Sequence, residues 1–283
     1  MQSSTKIFII AGEISGDQIG GAILNNLNNK NNRTYKFFGV GGDNLKKNGL
    51  KTIFNIEKIS LMGLFEIIPK IPMLIKLLNL TTEKIHAFKP DLIITIDSPG
   101  FNFRILKKIK AYGINTPVIH IVAPSVWAWK PKRAKTISAF IDYLFVLYPF
   151  EKKYFIPFDL KTFFIGHPLI ELYNNKHPKL PKNIKKKYLS IFPGSRKKEI
   201  NYHLDIILTS INEVDTELKF IIVAVESQFD LITKIVDKYK NNISIEIVSN
   251  SKKEEVFKFS YAAIAVSGTI TLELAINNVP FFT

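Results

Sequence analysis

The chain has 283 residues, 46% of them hydrophobic, with 39 lysine and arginine residues against 24 aspartate and glutamate residues. This length exceeds what one hydrophobic core usually serves, so we expect two domains. The net charge of +15 favours anionic partners such as nucleotides, phospholipids or nucleic acid, although lysines occur along the whole chain. Because the chain has no cysteine, disulfides and thiolate metal ligands are excluded, which fits a cytosolic protein.

Neither of the two most apolar segments is predicted to be an export signal or a membrane span. The run IFIIAG at 7–12 is too short for a signal-peptide core and no small-residue cleavage site follows it, so it predicts a first strand. The stretch 61–80 is interrupted by Glu66, Lys70, Lys76 and two prolines, which disfavours a spanning helix.

Short runs rich in Ile, Val and Phe alternate with longer amphipathic segments, a pattern typical of βαβ units and a parallel sheet. Most of these runs are apolar without alternation, which predicts burial on both faces. The strands predicted for the first half are 6–11, 35–40, 91–97, 117–122, 142–147 and 161–166. Those predicted for the second half are 188–193, 218–225, 243–248 and 262–267, and the final VPFFT is strand-like. The predicted helices include 17–29, 102–112 and 228–240.

One segment, 174–187, has almost no apolar content and contains two prolines and six lysines, which predicts a linker. It would separate a first domain over 1–173 from a second over 188–283. The second half contains only four or five βα units and closes on a bare strand, so we expect an incomplete second domain.

The sequence AGEISGDQIGG at 11–21 follows the first predicted strand, where a doubly wound sheet binds ligands. Its glycines lack the G-x-G-x-x-G spacing, and Glu13 and Asp17 would repel a pyrophosphate, so a dinucleotide site is disfavoured. Two interpretations stay open. In the first, Asp17 caps the following helix and the glycines relieve crowding. In the second, the loop binds hydroxyl groups of an acceptor.

The sequence IDSPGFNF puts Asp97 at the carboxyl end of an apolar strand, facing the crevice of an open α/β sheet. A carboxylate there is placed to act as a general base on a substrate hydroxyl. The alternative is that Asp97 or Ser98 caps the helix 102–112.

Both tryptophans of the chain lie in APSVWAWKPKR at 123–133, followed by three cations. Stacked bases with bound phosphates would explain this composition, and so would a lipid headgroup or a phosphorylated substrate. A loop whose rings close one end of the core is the third interpretation.

In the second half, the sequence IFPGSRKKE at 191–199 predicts a strand, a turn and a helix that begins near Lys197. Backbone amides at a helix start, the Ser195 hydroxyl and the Arg196 guanidinium form a typical diphosphate site. A similar turn at 265–275 carries Glu273 one helical turn in, where a carboxylate can accept both hydroxyls of a ribose. Together the two turns indicate a nucleoside diphosphate.

The remaining titratable residues give weaker signals. The histidines lack metal-ligand spacing and no D-x-D triplet occurs, so we predict neither a metal site nor a bound cofactor. His167 follows a strand, but a lone histidine is more often structural. Tyr148 and the proline after it are interpreted as the end of a strand.

Several motifs occur in the order and spacing found in the lipid-A-disaccharide synthase family. The resemblance runs from about residue 6 to the end of the chain and rests on AGEISGD, GVGGD, LMGLFEII, IDSPGFN, APSVWAW with Arg133, PFEKKYF, FIGHP, PGSRKKE and SGTITLELA. It implies a GT-B fold, in which two Rossmann-like domains face each other across a cleft, with the acceptor bound in the first and the donor nucleotide in the second.

The implied reaction is the transfer of 2,3-diacylglucosamine from UDP-2,3-diacylglucosamine onto the 6-hydroxyl of 2,3-diacylglucosamine 1-phosphate. The transfer inverts the anomeric centre and gives a β-1′,6 disaccharide plus UDP. Nucleic acid is not an expected partner under this reading. The alternatives are another GT-B enzyme, such as a sugar-nucleotide epimerase, or a basic nucleic-acid-binding protein.

The resemblance implies roles for individual residues. Its essential aspartate falls on Asp97. The donor-side residues would be Ser195, Arg196, Ser267, Gly268, Thr269 and Glu273. The acceptor-side residues would be Glu13, Ser15, Asp17, Ser125, Trp127, Trp129, Arg133 and His167. The chain departs from the family at Gly100, where many members have a second acid, and family members also continue beyond the length of this chain.

The stretch 61–80 is too apolar for an ordinary surface helix, while Lys70 and Lys76 suit anionic headgroups. We therefore expect peripheral attachment to the cytoplasmic face of the inner membrane. The residues predicted to face the membrane are Met62, Leu64, Phe65, Met73 and Leu74. The alternative is a helix buried in the first domain.

Overall fold

The computed structural model describes residues 4–30, 34–59, 68–128, 131–168, 170, 188–213, 219–239 and 244–283. The chain divides into two compact units, Met1–Pro168 and Leu169–Thr283. The predicted linker 174–187 lies outside the described residues. Each unit is an α/β domain around a parallel sheet, so the predicted fold class is confirmed.

The first unit has a seven-stranded sheet in the order β3-β2-β1-β4-β5-β6-β7, and every pairing is parallel. Its strands are β1 (Thr5–Ala11), β2 (Tyr35–Val40), β3 (Lys51–Thr52), β4 (Leu92–Ile96), β5 (Val118–Ile121), β6 (Tyr143–Val146) and β7 (Lys161–Phe164). Its described helices are α1 (Ile14–Lys30), α2 (Asp43–Lys47), α3 (Ile71–Phe88), α4 (Pro99–Ala111) and α5 (Arg133–Ile137). The strand order reverses between β1 and β4, which places a ligand-binding switch point there.

Alternating residues of β1 explain why this sheet needs helices on both faces. Phe8 and Ile10 belong to one buried cluster, which also contains Ile105 of α4. Ile7 and Ile9 belong to a second cluster on the other face, together with residues of α1. Each fully buried side chain of this size contributes about 1.5–3 kcal/mol, so both layers are needed to stabilise the strand.

The second unit repeats this plan with a five-stranded parallel sheet in the order β10-β9-β8-β11-β12. Its strands are β8 (Tyr188–Phe192), β9 (Lys219–Ala224), β10 (Ile245–Ser249), β11 (Ser260–Ala265) and β12 (Phe281–Phe282). Its described helices are α6 (Lys197–Asn212), α7 (Phe229–Val236), α8 (Lys253–Phe259) and α9 (Thr269–Ile276). Alternate residues of β9 again enter two different clusters.

The predicted strands lie close to the observed ones, but two helices begin earlier than predicted. α1 begins at Ile14 instead of residue 17, and α4 begins at Pro99 instead of residue 102. In both cases the chain enters the helix directly from the strand end, so the motif residues lie in the first helical turn. None of the described helices combines the length and the hydrophobicity that crossing a bilayer requires.

Candidate functional site

The carboxyl ends of β4 and β5 carry the most strained described backbone of the first unit. Ile96 pairs with Ile121, and the residues that follow adopt positive φ angles, 51° at Asp97, 45° at Ser98 and 75° at Val122. Left-handed backbone is unfavourable for residues other than glycine and is a genuine outlier for a β-branched valine. Such strain concentrates at functional sites, so this edge is the strongest candidate in the unit.

Asp97 lies at this edge with its carboxyl group partly buried. Burial raises the pKa of Asp97 above its usual range, while the hydrogen bond from the Ser98 amide to Oδ1, at 2.8 Å, opposes part of that shift. A raised pKa makes the carboxylate a better proton acceptor. The alternative that Ser98 caps the helix is confirmed in its position, because Ser98 is the N-cap residue of α4, but its side chain makes no capping bond.

The loops after β1 and β4 meet at Gly12 and Ser98. A Cβ atom at Gly12 would lie 2.2 Å from Oγ of Ser98, so only glycine fits there. The Ser98 hydroxyl donates to Oε1 of Glu13 at 3.5 Å. The structure therefore brings Glu13 next to the turn that carries Asp97. Ser15 is exposed in the first turn of α1.

Asp17 has a different role from either interpretation of the sequence. Its carboxylate is buried, and it accepts hydrogen bonds from the amides of Gly42, Asn44 and Leu45 at 2.7, 2.9 and 3.2 Å. Asp17 thus satisfies the free amides at the start of α2 instead of capping its own helix. With this carboxylate committed to α2, the acceptor-side prediction for Asp17 is replaced by a structural role.

The ends of β5, β6 and β7 bring together an aromatic cluster, defined here as Trp127, Tyr148, Phe150, Tyr154 and His167. The Trp127 ring lies 5.2 Å from Phe150 and 6.4 Å from Tyr154, and the Tyr148 ring lies 5.8 Å from Phe150 and 6.0 Å from His167. Phe150 is 45% exposed. The interpretation of Tyr148 as the end of a strand is confirmed, since β6 ends at Val146, but no sequence signal indicated that Tyr148 and Phe150 join this cluster.

The other predicted acceptor-side residues lie near this cluster in sequence. Ser125 is exposed, and Arg133 is half-buried as the first residue of α5. Trp129 lies outside the described residues. Burial lowers the pKa of His167 below its usual value, which favours the neutral imidazole at pH 7.

Three fully buried polar residues lie beneath the strained edge, and the sequence analysis missed all of them. Oγ1 of Thr95 lies 2.7 Å from Nδ1 of His120, its register partner on β5. Burial lowers the pKa of His120 to about 3, so the ring is neutral. Asn102 packs in the first turns of α4. A threonine and a histidine inside otherwise apolar strands were the sequence signal that could have revealed the first two.

In the second unit, the two predicted nucleotide-binding turns lie side by side. Phe192 at the end of β8 pairs with Ala265 at the end of β11, and the Val266 amide donates to the Phe192 carbonyl at 2.9 Å. Each strand leads directly into a turn and a helix. The exposed turn residues that share this edge are Ser195, Arg196, Ser267, Gly268 and Thr269.

Arg196 directly precedes α6 as its N-cap residue, and its side chain makes no capping bond to the helix start, where backbone amides typically bind anions. Its guanidinium donates to Glu199 at 2.5 Å and its side chain is 52% exposed. Gly194 has a φ angle of 101°, and a Cβ atom there would lie 2.7 Å from Oε2 of Glu199. The turn therefore requires glycine at this position.

Glu273 is buried one turn into α9, and its carboxylate forms an ion pair with Lys253 of α8 at 2.6 Å. No motif of the sequence indicated Lys253 as part of this site. The lysine places a positive charge beside the carboxylate that is predicted to bind a ribose.

The predicted membrane-facing residues divide into two groups. Met62, Leu64 and Phe65 lie outside the described residues. Met73 and Leu74 are half-buried and pack against the core of the first unit, so part of each side chain stays accessible and their membrane contact stays a prediction. Among the described residues of this segment, the large hydrophobic side chains that are exposed are Ile68, Ile71 and Ile75.

A family model for lipid-A-disaccharide synthetase matches residues 7–283. The lipid-A-disaccharide synthase of Rickettsia felis is 40% identical over 286 residues, which cover 98% of this chain and 72% of that protein. Two solved structures show the same fold at low identity. The Staphylococcus aureus MnaA–UDP structure has a TM-score of 0.67 at 14% identity, covering 99% of this chain and 78% of the other.

The second is the lipopolysaccharide outer core galactosyltransferase WaaB in its apo form, with a TM-score of 0.56 at 15% identity, covering 98% and 80% of the two chains. These likenesses agree with a GT-B architecture of two parallel-sheet domains. The family match agrees with the motifs of both units. The chain belongs to the lipid-A-disaccharide synthase family.

Proposed function

We propose that this protein is the hexosyltransferase that joins UDP-2,3-diacylglucosamine and 2,3-diacylglucosamine 1-phosphate, with Asp97 as the general base. Family membership supports glycosyl transfer in lipid A biosynthesis and disfavours the epimerase and nucleic-acid alternatives. The observation that carries the role of Asp97 is its position, a partly buried carboxylate on left-handed backbone at the switch point of the first sheet.

In the proposed reaction, Asp97 accepts the proton of the acceptor 6-hydroxyl as that oxygen attacks the anomeric carbon of the donor. The new bond forms on the face opposite the diphosphate, and the bond from the anomeric carbon to the diphosphate oxygen breaks at the same time. Its electron pair leaves with UDP, so the configuration inverts and no covalent enzyme intermediate is required.

We assign the donor to the second unit. The amino-terminal end of α6, Ser195 and the Arg196 guanidinium would bind the diphosphate and stabilise the charge that develops as UDP leaves. Glu273 would accept hydrogen bonds from the ribose hydroxyls. Its ion pair with Lys253 supports this role, because the ammonium group fixes the position of the carboxylate one turn into α9.

We assign the acceptor to the carboxyl edge of the first sheet. Glu13 lies beside the Asp97 turn, where it would orient an acceptor hydroxyl. The aromatic cluster offers exposed ring surface for the apolar parts of an acylated sugar. Lys132 and Arg133, which follow this loop, would attract the 1-phosphate.

We further propose that the protein works at the cytoplasmic face of the inner membrane, since both substrates carry acyl chains. Ile68, Ile71 and Ile75 expose an apolar surface next to Lys70 and Lys76, a composition that suits an anionic lipid interface. We propose these three isoleucines as the main contact, with the half-buried Met73 and Leu74 beside them.

The transfer is proposed to need no metal ion, because Arg196 and the α6 amides supply the positive charge for the leaving group. Among the described residues, no three His, Cys, Asp or Glu side chains are grouped as metal ligands. The test is a mass-spectrometric assay of disaccharide 1-phosphate and UDP from the two substrates, run with and without a chelator. Absence of the disaccharide would contradict the proposed reaction, and loss of turnover with chelator would contradict the metal-free mechanism.

A further inference from the structure

The backbone that carries Asp97 is unusual because two consecutive residues that are not glycine adopt left-handed conformations. Asp97 has a φ angle of 51°, and Ser98 has φ 45° and ψ 55°. Each such residue is energetically unfavourable and persists only where the surroundings hold it. Some group near this turn must therefore stabilise it.

Asn102 makes the contacts that stabilise the turn. Its side-chain amide donates to the carbonyl of Asp97 at 2.7 Å and to the carbonyl of Ile96 at 3.3 Å. Its backbone amide donates to the carbonyl of Ser98 at 3.0 Å. One residue thus binds three consecutive carbonyl groups, which include those of both left-handed residues.

The orientation of the Asn102 side chain follows from these contacts. Both carbonyls can only accept hydrogen bonds, so the nitrogen must face them. Asn102 is fully buried, and Oδ1 has no hydrogen-bond partner in the described part of the chain. A buried acceptor without a partner costs free energy, and a leucine would fill the same space without that cost. The asparagine is therefore explained by its donor group and not by packing.

We propose that Asn102 is the positioning residue of the reaction, which holds the Asp97–Ser98 turn left-handed and so aims the Asp97 carboxylate at the acceptor hydroxyl. This inference rests on the proposed role of Asp97 as the base. Asn102 itself lies behind the turn and does not touch the substrate. Without its side-chain donor the turn relaxes, and the carboxylate loses both its direction and its partial burial.

The test compares Asn102→Ala with the matched control Thr81→Val. Thr81 is a fully buried residue of α3 whose hydroxyl donates to the Leu77 carbonyl at 2.7 Å, remote in sequence from the turn. The whole chain, labelled with ¹³C at aspartate carboxyl carbons, is titrated by NMR, and the Asp97 signal is identified by its loss in Asp97→Asn. In Asn102→Ala the pKa of Asp97 should fall toward the value of a free aspartate, while Thr81→Val should leave it raised.

Turnover gives the second measurement. In Asn102→Ala we expect kcat to fall at least tenfold with little change in KM for the donor, and the acid limb of the pH–rate profile to move to lower pH. An unchanged Asp97 pKa in the folded variant would overturn the positioning role. A pKa that falls while kcat is unchanged would show that Asn102 holds the turn but would contradict Asp97 as the base, so the two failures are distinguishable.

A third measurement does not depend on the variant folding. In the unaltered protein, the side-chain amide protons of Asn102 should exchange with solvent far more slowly than those of the exposed Asn278. Free exchange of the Asn102 amide protons would show that the donor is not engaged, which overturns the proposal.

Discussion

Arg196 and Glu199 form an ion pair in the first turn of α6, with Nη1 of the arginine 2.5 Å from Oε1 of the glutamate. The arginine is the residue to which we assign the diphosphate. Glu199 therefore occupies donor groups that the nucleotide would use. The same carboxylate approaches Gly194, so the turn, the arginine and the glutamate act as one unit.

Replacing Arg196 should weaken nucleotide binding. Arg196→Ala removes a charge-assisted contact, so UDP affinity should fall by about 1.5–3 kcal/mol, roughly 10- to 150-fold in Kd. Glu199→Gln is the matched control, because it frees the guanidinium and should leave UDP affinity equal or higher. Isothermal titration calorimetry measures both. Equal UDP affinity in a folded Arg196→Ala variant would remove Arg196 from the donor site.

The exposed isoleucines before and within α3 should contribute to lipid binding. The triple change of Ile68, Ile71 and Ile75 to serine removes exposed apolar area, so binding to vesicles containing anionic phospholipid should decrease while the melting temperature changes little. In the control, Met73→Ser with Leu74→Ser should lower the melting temperature, because these side chains pack on the core. Vesicle binding that survives the triple change would locate the membrane contact elsewhere.

The difference between the exposed isoleucines and the half-buried Met73 and Leu74 shows what could be predicted from the sequence and what could not. Hydrophobic content over 61–80 indicated an apolar segment, but not which side chains turn inward, because that depends on the rotation of α3 against the sheet. The strands were predictable because their apolar runs are buried on both faces. The roles of Asp17 and Asn102 were not predictable. Asp17 accepts hydrogen bonds from backbone amides of another segment, and Asn102 binds the carbonyls of a strained turn that no local sequence pattern encodes.

Phe150 should contribute to binding of the acylated acceptor. Its ring is partly exposed between Trp127 and Tyr148, so Phe150→Ala removes contact area and should raise KM for the acceptor about 2- to 10-fold with little change in kcat. Tyr202→Ala is the control, because Tyr202 is an exposed aromatic residue of α6 in the second unit. The KM for the acceptor is measured by steady-state kinetics at varied acceptor concentration. Equal KM values for Phe150→Ala and the unaltered protein would exclude the cluster from acceptor binding.

His120 should make the first unit sensitive to acid. Its folded pKa, about 3, lies below the unfolded value of 6.5. Below pH 6.5 the unfolded chain therefore binds a proton that the folded protein does not, and the free energy of unfolding falls as the pH falls. At pH 5 the loss relative to pH 8 is about 2 kcal/mol. Urea unfolding followed by tryptophan fluorescence reports on this unit, since both tryptophans belong to it. His120→Leu should lose less stability between pH 8 and pH 5, and an equal loss in both proteins would argue against this role.

The central claim is that Asp97 accepts the proton of the acceptor hydroxyl. Asp97→Asn keeps the size of the side chain and can still accept the Ser98 amide bond, but it cannot take up a proton. Its stability should not fall. Burial raises the pKa of Asp97 in the folded protein, so the ionised carboxylate is less favourable there than in the unfolded chain. The neutral asparagine avoids this loss of stability at pH 7.

The most direct measurement is the single-turnover rate of Asp97→Asn with both acylated substrates at saturating concentration, followed by mass spectrometry of the disaccharide 1-phosphate. We predict a rate about 10²–10⁴-fold below that of the unaltered protein, with equal UDP affinity and a melting temperature that is equal or slightly higher. A variant that folds, binds UDP and turns over at a near-normal rate would contradict the account and would assign the proton acceptor to another residue of the edge, first Glu13 or His167.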